Sequence, residues 1–160
     1  MSVRKYLPQD YDQVVSLFRA LPELFTRRTV CNVGYDLKDY ERGDFRNILN
    51  CLVFSQEEEI QGVLIYRQDH TGDRVFELKW MAVKKERQRN GIGCSLVRHA
   101  EYLLKDSARL IVLYISNTPI WNSTKEFFRK LDYQEVAIIP DFWDDGDDRA
   151  VFWKRINKGV

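Results

Sequence analysis

Cysteine, long apolar runs and surplus charge are all scarce in this chain of 160 residues, and each absence excludes a class of protein. Cys31, Cys51 and Cys94 form no CxxC pair and no Cys/His cluster, so neither a disulfide framework nor a zinc site is expected. The longest apolar run, Leu110–Ile115, is too short to cross a bilayer, and residues 1–6 carry no apolar signal core. These features predict reduced thiols, a cytoplasmic location and no membrane partner.

Charge is nearly balanced. The chain carries 25 basic and 24 acidic residues, for a formal net charge of +1. A protein whose main partner is nucleic acid needs a basic surplus to neutralise phosphates, so such a partner is not expected. Hydrophobic residues make up 44% and aromatic residues 13%, which is enough to fill one core. Length and composition together predict a single domain over residues 1–160.

The hydrophobic pattern alternates between the periods of strands and helices. Its order is predicted as β-α-(α)-β-β-β-α-β-α-β-β, an α/β domain with strands flanked by helices on both faces. The segment Glu23–Asn50 mixes charged and apolar residues, and short helices and loops are expected there. Predicted strands are Val3–Tyr6, Cys51–Ser55, Ile60–Gln68, Val75–Val83, Leu110–Ile115, Val136–Ile139 and Ala150–Ile156.

The helices are predicted from apolar residues at helical spacing and from start signals. The first follows Pro8–Asp10, and Pro22 ends or kinks it. The next long one opens at Gly91 and is expected to bury Ile92, Leu96, Ala100, Leu103 and Leu104. Ser123 and Glu126 have the spacing of a capping box for the last helix. Leu110–Ile115 is expected to be buried on both faces, and Asp141–Asp148 to form an acidic loop.

The segment Gln88–Gly93 follows a predicted strand and opens a predicted helix. Its glycines allow a tight turn, and the first amides of the helix point outward at the positive end of the helix dipole. This arrangement suits a pyrophosphate. A GxG pair can instead merely permit close helix packing. A Rossmann fingerprint would need a glycine at Leu96, and no Walker A pattern is present.

Trp80–Val83 followed by Gln88-x-x-Gly91-x-Gly93 resembles motif A of the GNAT acetyltransferases. The segment Asn122–Tyr133 resembles their motif B helix, and Asp141–Arg149 with the last strand is similar to the closing hairpin of many bacterial members. The resemblance covers roughly residues 53–156. It implies a three-layer α-β-α domain with a mixed, mainly antiparallel central sheet.

The resemblance also implies acetyl-CoA as co-substrate and no metal. The main chain of Met81, Ala82 and Val83 would pair with the pantetheine arm, and the Val83 amide would face the thioester oxygen in a catalytic role. Asn122 would bind the amide groups of the cofactor, and Phe128 would lie beside its thiol. The residues whose amides would hold the pyrophosphate are Gln88, Arg89, Asn90, Gly91, Ile92 and Gly93.

Glu77 is the candidate general base, because the attacking amine must lose a proton and the glutamate base of the histone-acetyltransferase branch matches this position. Two alternatives stay open for it: a solvated strand charge, or a surface pair with Lys79. Phe128 stands where many members carry a tyrosine that protonates the leaving thiolate, and a phenyl ring cannot do so. Tyr114 and Tyr133 are weaker candidates for that proton donor.

The resemblance favours an N-acetyltransferase in which a primary amine of a small molecule or peptide attacks acetyl-CoA directly in a ternary complex. The absence of a tyrosine at Phe128 keeps a second hypothesis open, a non-catalytic acyl-CoA-binding module acting as sensor or scaffold. A nucleotide-binding domain with another phosphate ligand is the third. The acidic segment Asp141–Asp148 is either a solvated turn or attracts a cationic amine, and a homodimer is possible.

Overall fold

The computed structural model describes residues 2–43 and 49–156. Strands and helices follow one another in the predicted order. The strands are β1 (Ser2–Lys5), β2 (Leu49–Gln56), β3 (Glu59–Gln68), β4 (Val75–Val83), β5 (Leu110–Ser116), β6 (Gln134–Asp144) and β7 (Asp147–Arg155). The helices are α1 (Tyr11–Arg19), α2 (Arg27–Arg42), α3 (Ile92–Leu104) and α4 (Asn122–Lys130).

The fold is α/β, with a seven-stranded, mainly antiparallel sheet in the order β1-β2-β3-β4-β5-β7-β6. This confirms the predicted fold class. Contacts group the chain into two compact units, residues 1–68 with 78–104 and residues 69–77 with 105–160. Strand β4 contributes residues to both units. The prediction of one domain over residues 1–160 stays a prediction.

In the first unit, β1, β2 and β3 pair antiparallel. The β2–β3 hairpin turns on Glu57 and Glu58, whose φ angles of 51° and 67° are those of a turn usually made by Asn-Gly. Seven consecutive residues of β3, numbers 60–66, are buried. Such a run requires cover on both faces, which the helices of this unit supply: α1 contacts β3, α2 contacts β2, and α3 contacts both strands.

Helix α2 corrects the prediction for Glu23–Asn50, because a single helix of 16 residues runs from Arg27 to Arg42. The Thr26 hydroxyl accepts a hydrogen bond from the Thr29 amide at its start, and Gly43 ends it with φ 65°. The helix contains few apolar residues, and only a narrow stripe that includes Val33 and Leu37 is buried. That stripe is too thin for a pattern search to separate from loop. Residues 44–48 of the segment lie outside the described residues.

Helix α3 packs on the sheet through Gly62. A Cβ added there would lie 2.8 Å from Ile92 Cγ2 and 3.2 Å from Leu96 Cδ1, so the missing side chain lets the helix approach the strand closely. The predicted inner face is confirmed at Ile92, Leu96, Ala100 and Leu104. It is wrong at Leu103, which is exposed, and the fifth buried residue is Val97.

A valine at Gly62 is expected to push the start of α3 away from the sheet. Overpacking a well-filled core costs about 1–3 kcal/mol, so the melting temperature should fall by several degrees. Thermal unfolding measures this effect. Gly62→Ala, whose single carbon can be met by a shift of the Ile92 side chain, should give a smaller loss. A valine variant with the wild-type melting temperature would contradict this packing argument.

In the second unit, β4 pairs parallel with β5 over Val75–Glu77 and Leu110–Val112, and β7 pairs antiparallel with β5 and β6. Burial alternates along β5, so the prediction of burial on both faces is wrong: one face is buried and the other half-buried. The predicted loop Asp141–Asp148 is also wrong, because most of it extends β6 and β7. The turn between these strands is the dipeptide Asp145-Gly146, the usual sequence of a tight hairpin.

Helix α4 begins at Asn122 after Trp121, and no side chain caps it. The predicted capping box is therefore wrong, and Glu126 pairs with Arg129 instead. Asp132, in the turn after α4, adopts a left-handed φ of 69°, a conformation that aspartate tolerates better than most residues. None of the described helices has the length and apolarity needed to span a membrane.

Candidate functional site

The loop after β4 has the geometry of an anion cradle. Arg89 and Gly91 take left-handed φ angles of 63° and 79°, and α3 begins at Ile92. Ser95 donates its amide to the Gly91 carbonyl at 2.9 Å, closing the first helical turn. The amides ahead of Ser95 at this terminus therefore have no partner within the helix. A Cβ at Gly91 would meet nothing within 4 Å, so the space above the loop is open.

One hydrogen bond holds the loop to the end of β4, and a second holds the residue after β4 to β3. The Gln88 side chain donates to the Val83 carbonyl at 3.2 Å, and the Lys84 amide donates to the Gln61 carbonyl at 2.9 Å. Gln88 was predicted for its amide, and its side chain adds a brace between loop and strand. The end of β4 and the start of α3 are thus positioned by the same short segment.

Four cations surround the loop in the sequence, and the structure divides them into two pairs. Lys84 binds Glu59, and its hydrogen bond lowers the pKa of that carboxylate. Lys85 lies 3.4 Å from Glu23. Arg87 and Arg89 are exposed. The positive charge available to an anion therefore comes mainly from the two arginines, not from all four side chains.

The end of β4, which the sequence analysis expects to pair with pantetheine, is anchored by a residue that the sequence does not point to. The Asp36 carboxylate of α2 accepts a hydrogen bond of 2.6 Å from the Trp80 indole and lies 2.7 Å from the Lys79 ammonium. Asp36 is buried. It joins α2 to β4 immediately before Met81–Val83. Its signal in the sequence is weak, because Asp36 is one of three acidic residues on a largely polar helix.

Glu77 is buried in the second unit, where it pairs in register with Val112 of β5. Only 8% of the residue is exposed, which excludes the solvated-charge alternative. The alternative of a surface pair with Lys79 loses its support, because the Lys79 ammonium binds Asp36. The role of Glu77 as general base stays a prediction.

The motif B residues lie on α4 of the second unit. Asn122 is exposed at its first position, while Phe128 is 4% exposed and packs edge to face against Phe127 and Tyr133.

Lys125 of α4 is a second residue that the sequence analysis missed. It is buried, and its ammonium donates to the Asn117 side-chain oxygen at 2.8 Å, tying α4 to the segment after β5.

The predicted residues therefore form two groups. Residues from Met81 to Gly93 lie together in the first unit, and Glu77, Asn122 and Phe128 belong to the second. The described residues contain no group of three or more His, Cys, Asp or Glu side chains arranged to hold a metal ion.

A family model described as an acetyltransferase (GNAT) domain matches residues 47–135, which is more than half of the chain. The chain belongs to the GNAT acetyltransferase family. The matched region includes Glu77, the Gln88–Gly93 loop and the motif B helix. A comparison with curated proteins finds no match.

Solved structures of GNAT acetyltransferases share the fold. A protein assigned to the GNAT family from Desulfovibrio desulfuricans has a TM-score of 0.91 at 19% identity, covering 98% of this chain and 99% of that one. An aminoglycoside 6'-N-acetyltransferase complexed with coenzyme A has a TM-score of 0.76 at 19% identity, covering 100% and 99%. The ribosomal-protein-S18-alanine N-acetyltransferase of Escherichia coli has a TM-score of 0.75 at 14% identity, covering 99% and 96%.

Proposed function

We propose that this GNAT protein transfers an acetyl group from acetyl-CoA to a primary amine by direct attack in a ternary complex. The acceptor is a small molecule or a peptide, and the reaction takes place in the cytoplasm. The observation that carries the proposal is the loop Gln88–Gly93, a few residues after β4, with its left-handed Gly91 and open helix amides. A homodimer is compatible with this function but not required by it.

The loop fits the pyrophosphate of coenzyme A. Phosphate oxygens accept hydrogen bonds from amides at a helix N-terminus, and the exposed Arg87 and Arg89 add positive charge. The amides proposed to bind there are those of Gln88, Arg89, Asn90, Gly91, Ile92 and Gly93. The main chain of Met81–Val83 is proposed to pair with the pantetheine arm, and Asn122 to bind the cofactor's amide groups. When bound, acetyl-CoA supplies an activated thioester.

Residues of the chain then orient the reactants, stabilise the developing charge and accept a proton. The Val83 amide is proposed to donate to the thioester oxygen as negative charge develops on it. The amine nitrogen forms a bond to the acetyl carbon while the carbon–sulfur bond breaks, giving an amide and the CoA thiolate. Glu77 is proposed to accept the proton that the amine loses, either directly or through one water molecule. No metal is needed in this scheme.

One assay separates this function from its alternative. The protein is incubated with acetyl-CoA and a panel of primary amines, and free thiol is measured over time. Release that depends on both amine and protein is expected. Tight binding of CoA with no release for any amine would support the second candidate, an acyl-CoA-binding sensor or scaffold. Phe128 favours that candidate, because its ring offers no proton to a leaving thiolate.

Phe128→Tyr tests whether this ring lies beside the thiol. A hydroxyl added to a buried ring without a partner costs about 1–3 kcal/mol, so the melting temperature of the free protein should fall. If the new hydroxyl reaches the cofactor sulfur, CoA should raise the melting temperature of the variant at least as much as that of the wild type, and kcat should not decrease. A smaller CoA effect in the variant would place Phe128 away from the thiol.

A further inference from the structure

Arg149 of β7 lies against aromatic rings. Its guanidinium carbon is 3.3 Å from the centroid of the Tyr114 ring, 4.3 Å from that of Phe142 and 5.6 Å from that of Trp143. Tyr114 belongs to β5, and Phe142 and Trp143 belong to β6. Stacking of this kind fixes the plane of the guanidinium and leaves its N–H edges for hydrogen bonds.

The N–H groups of the Arg149 guanidinium have no hydrogen-bond acceptor among the described residues. The Nε atom of Arg149 is buried without a hydrogen-bond partner, and no carboxylate of the described chain forms an ion pair with this arginine. A buried donor that is left unsatisfied is costly, and native structures contain few of them. An arginine held in a fixed plane with unfilled donors is prepared for a planar acceptor such as a carboxylate.

Most of the neighbouring aspartates already accept hydrogen bonds from groups other than Arg149. Four of their carboxylates accept other hydrogen bonds: Asp141 from the Gly146 amide, Asp144 from the Asp145 amide, Asp147 from the Ser116 hydroxyl and Asp148 from the Asp141 amide. The hairpin nevertheless keeps its negative charge. A ligand carrying only anions would be repelled, whereas a ligand with a carboxylate for Arg149 and an ammonium group would be attracted.

Arg149 shares a face of the second unit's sheet with Glu77. The register pairs Glu77 with Val112, Val112 with Trp153, and Tyr114 with Val151, and paired residues point to the same side. Tyr114, over which the guanidinium stacks, is two residues beyond Val112, or roughly 7 Å along the strand. Trp153 on this face also carries a buried donor, its Nε1, without a hydrogen-bond partner.

We propose that Arg149 binds a carboxylate of the acceptor, so that the substrates are amines that also carry a carboxylate several bonds away. This inference rests on the proposed acetyl transfer, in which the amine lies at Glu77. Arg149 is then a specificity-determining residue, and Tyr114 and Phe142 hold its plane. The acidic hairpin and Arg149 together select a zwitterion over a simple amine or a polyanion.

The test compares ω-amino acids with amines in which a methyl group replaces the carboxylate: β-alanine with propylamine, γ-aminobutyrate with butylamine, and ε-aminocaproate with hexylamine. Calorimetry in the presence of CoA measures binding, and thiol release from acetyl-CoA measures kcat/KM. The wild type should bind at least one acid about 10- to 100-fold more tightly than its amine, the range of a charge-assisted hydrogen-bonded pair. Arg149→Gln should bring that ratio close to one.

Arg149→Lys is the second variant. It keeps the positive charge but loses the planar, bidentate guanidinium, so it should retain only part of the preference for the acid over its amine. Arg42→Gln is the matched control, because it removes one exposed cation of α2, and its ratio should equal that of the wild type. Equal binding of acid and amine by the wild type, or a preference that survives Arg149→Gln, would overturn the proposal. So would a loss confined to CoA affinity, which would assign Arg149 to a cofactor phosphate.

Failure of the proposed function looks different from failure of this inference. Preferential, Arg149-dependent binding of an acid without thiol release would leave the carboxylate site standing and refute acetyl transfer to these amines. Thiol release with no preference for the acid in binding or in kcat/KM would support acetyl transfer and refute the carboxylate site.

Discussion

Replacing Glu77 by glutamine is expected to lower kcat by about 10²- to 10⁴-fold while acetyl-CoA binds with nearly unchanged affinity. The change keeps the shape of the side chain and removes its ability to accept a proton. The contacts proposed between the main chain and the cofactor should survive, because Met81–Val83 and the loop amides are not altered. Steady-state kinetics with a reactive amine, together with CoA titration, measure the two effects separately.

The loss in Glu77→Gln should shrink at high pH, where more of the amine is already neutral and needs no base. Glu126→Gln provides a matched control, since that glutamate is an exposed residue of α4 paired with Arg129 and should affect kcat little. A Glu77→Gln protein with wild-type kcat at neutral pH would remove Glu77 from the mechanism. Proton removal would then fall to water, and the reaction class would be unaffected.

Gly91→Asp is expected to abolish the stabilisation that CoA gives to the wild type. At 100 times its Kd, a ligand stabilises the folded state by about 2.7 kcal/mol, which raises the melting temperature of a protein of this size by several degrees. A carboxylate at Gly91 projects into the open space above the loop, where it would crowd and repel a pyrophosphate. ADP should stabilise the wild type only weakly, because it lacks the pantetheine arm.

Backbone strain at Gly91 needs a control, since φ is 79° and any side chain there is strained. Gly43→Asp is matched to it: Gly43 has φ 65°, a Cβ there also meets nothing within 4 Å, and it ends α2 instead of lying in the loop. Both variants should lose some stability, but Gly43→Asp should keep the CoA effect. An undiminished CoA effect in Gly91→Asp would mean that the phosphate site lies elsewhere.

The elements with strong periodicity could be predicted from the sequence. Strand β4 has the predicted bounds Val75–Val83, and α3 starts one residue after the predicted Gly91. These segments bury an apolar stripe, so their pattern reflects their environment directly. Helix α2 could not be predicted, because its apolar stripe is narrow and the tertiary pairing of Asp36 leaves no periodic signal in the sequence.

The candidate site also has a part that could be predicted from the sequence and a part that could not. The Gln88–Gly93 cradle is local in sequence, so its geometry follows from the glycine spacing and the adjoining strand. Asp36 with Trp80, Lys125 with Asn117, and Arg149 with Tyr114 are long-range or cross-strand pairs. Nothing in the sequence indicates that these particular side chains meet. The acceptor preference therefore had to be inferred from the structure and not from the motif.

The most direct test of the account follows the acetyl group itself. The protein is supplied with acetyl-CoA labelled in its acetyl group and with a primary amine, and the amide and the free thiol are both quantified. The account predicts one labelled amide for each thiol released, with no release when the amine is omitted and none from Gly91→Asp at limiting acetyl-CoA. Thiol release without labelled amide, or the absence of both for every amine tested while CoA still binds, would contradict it.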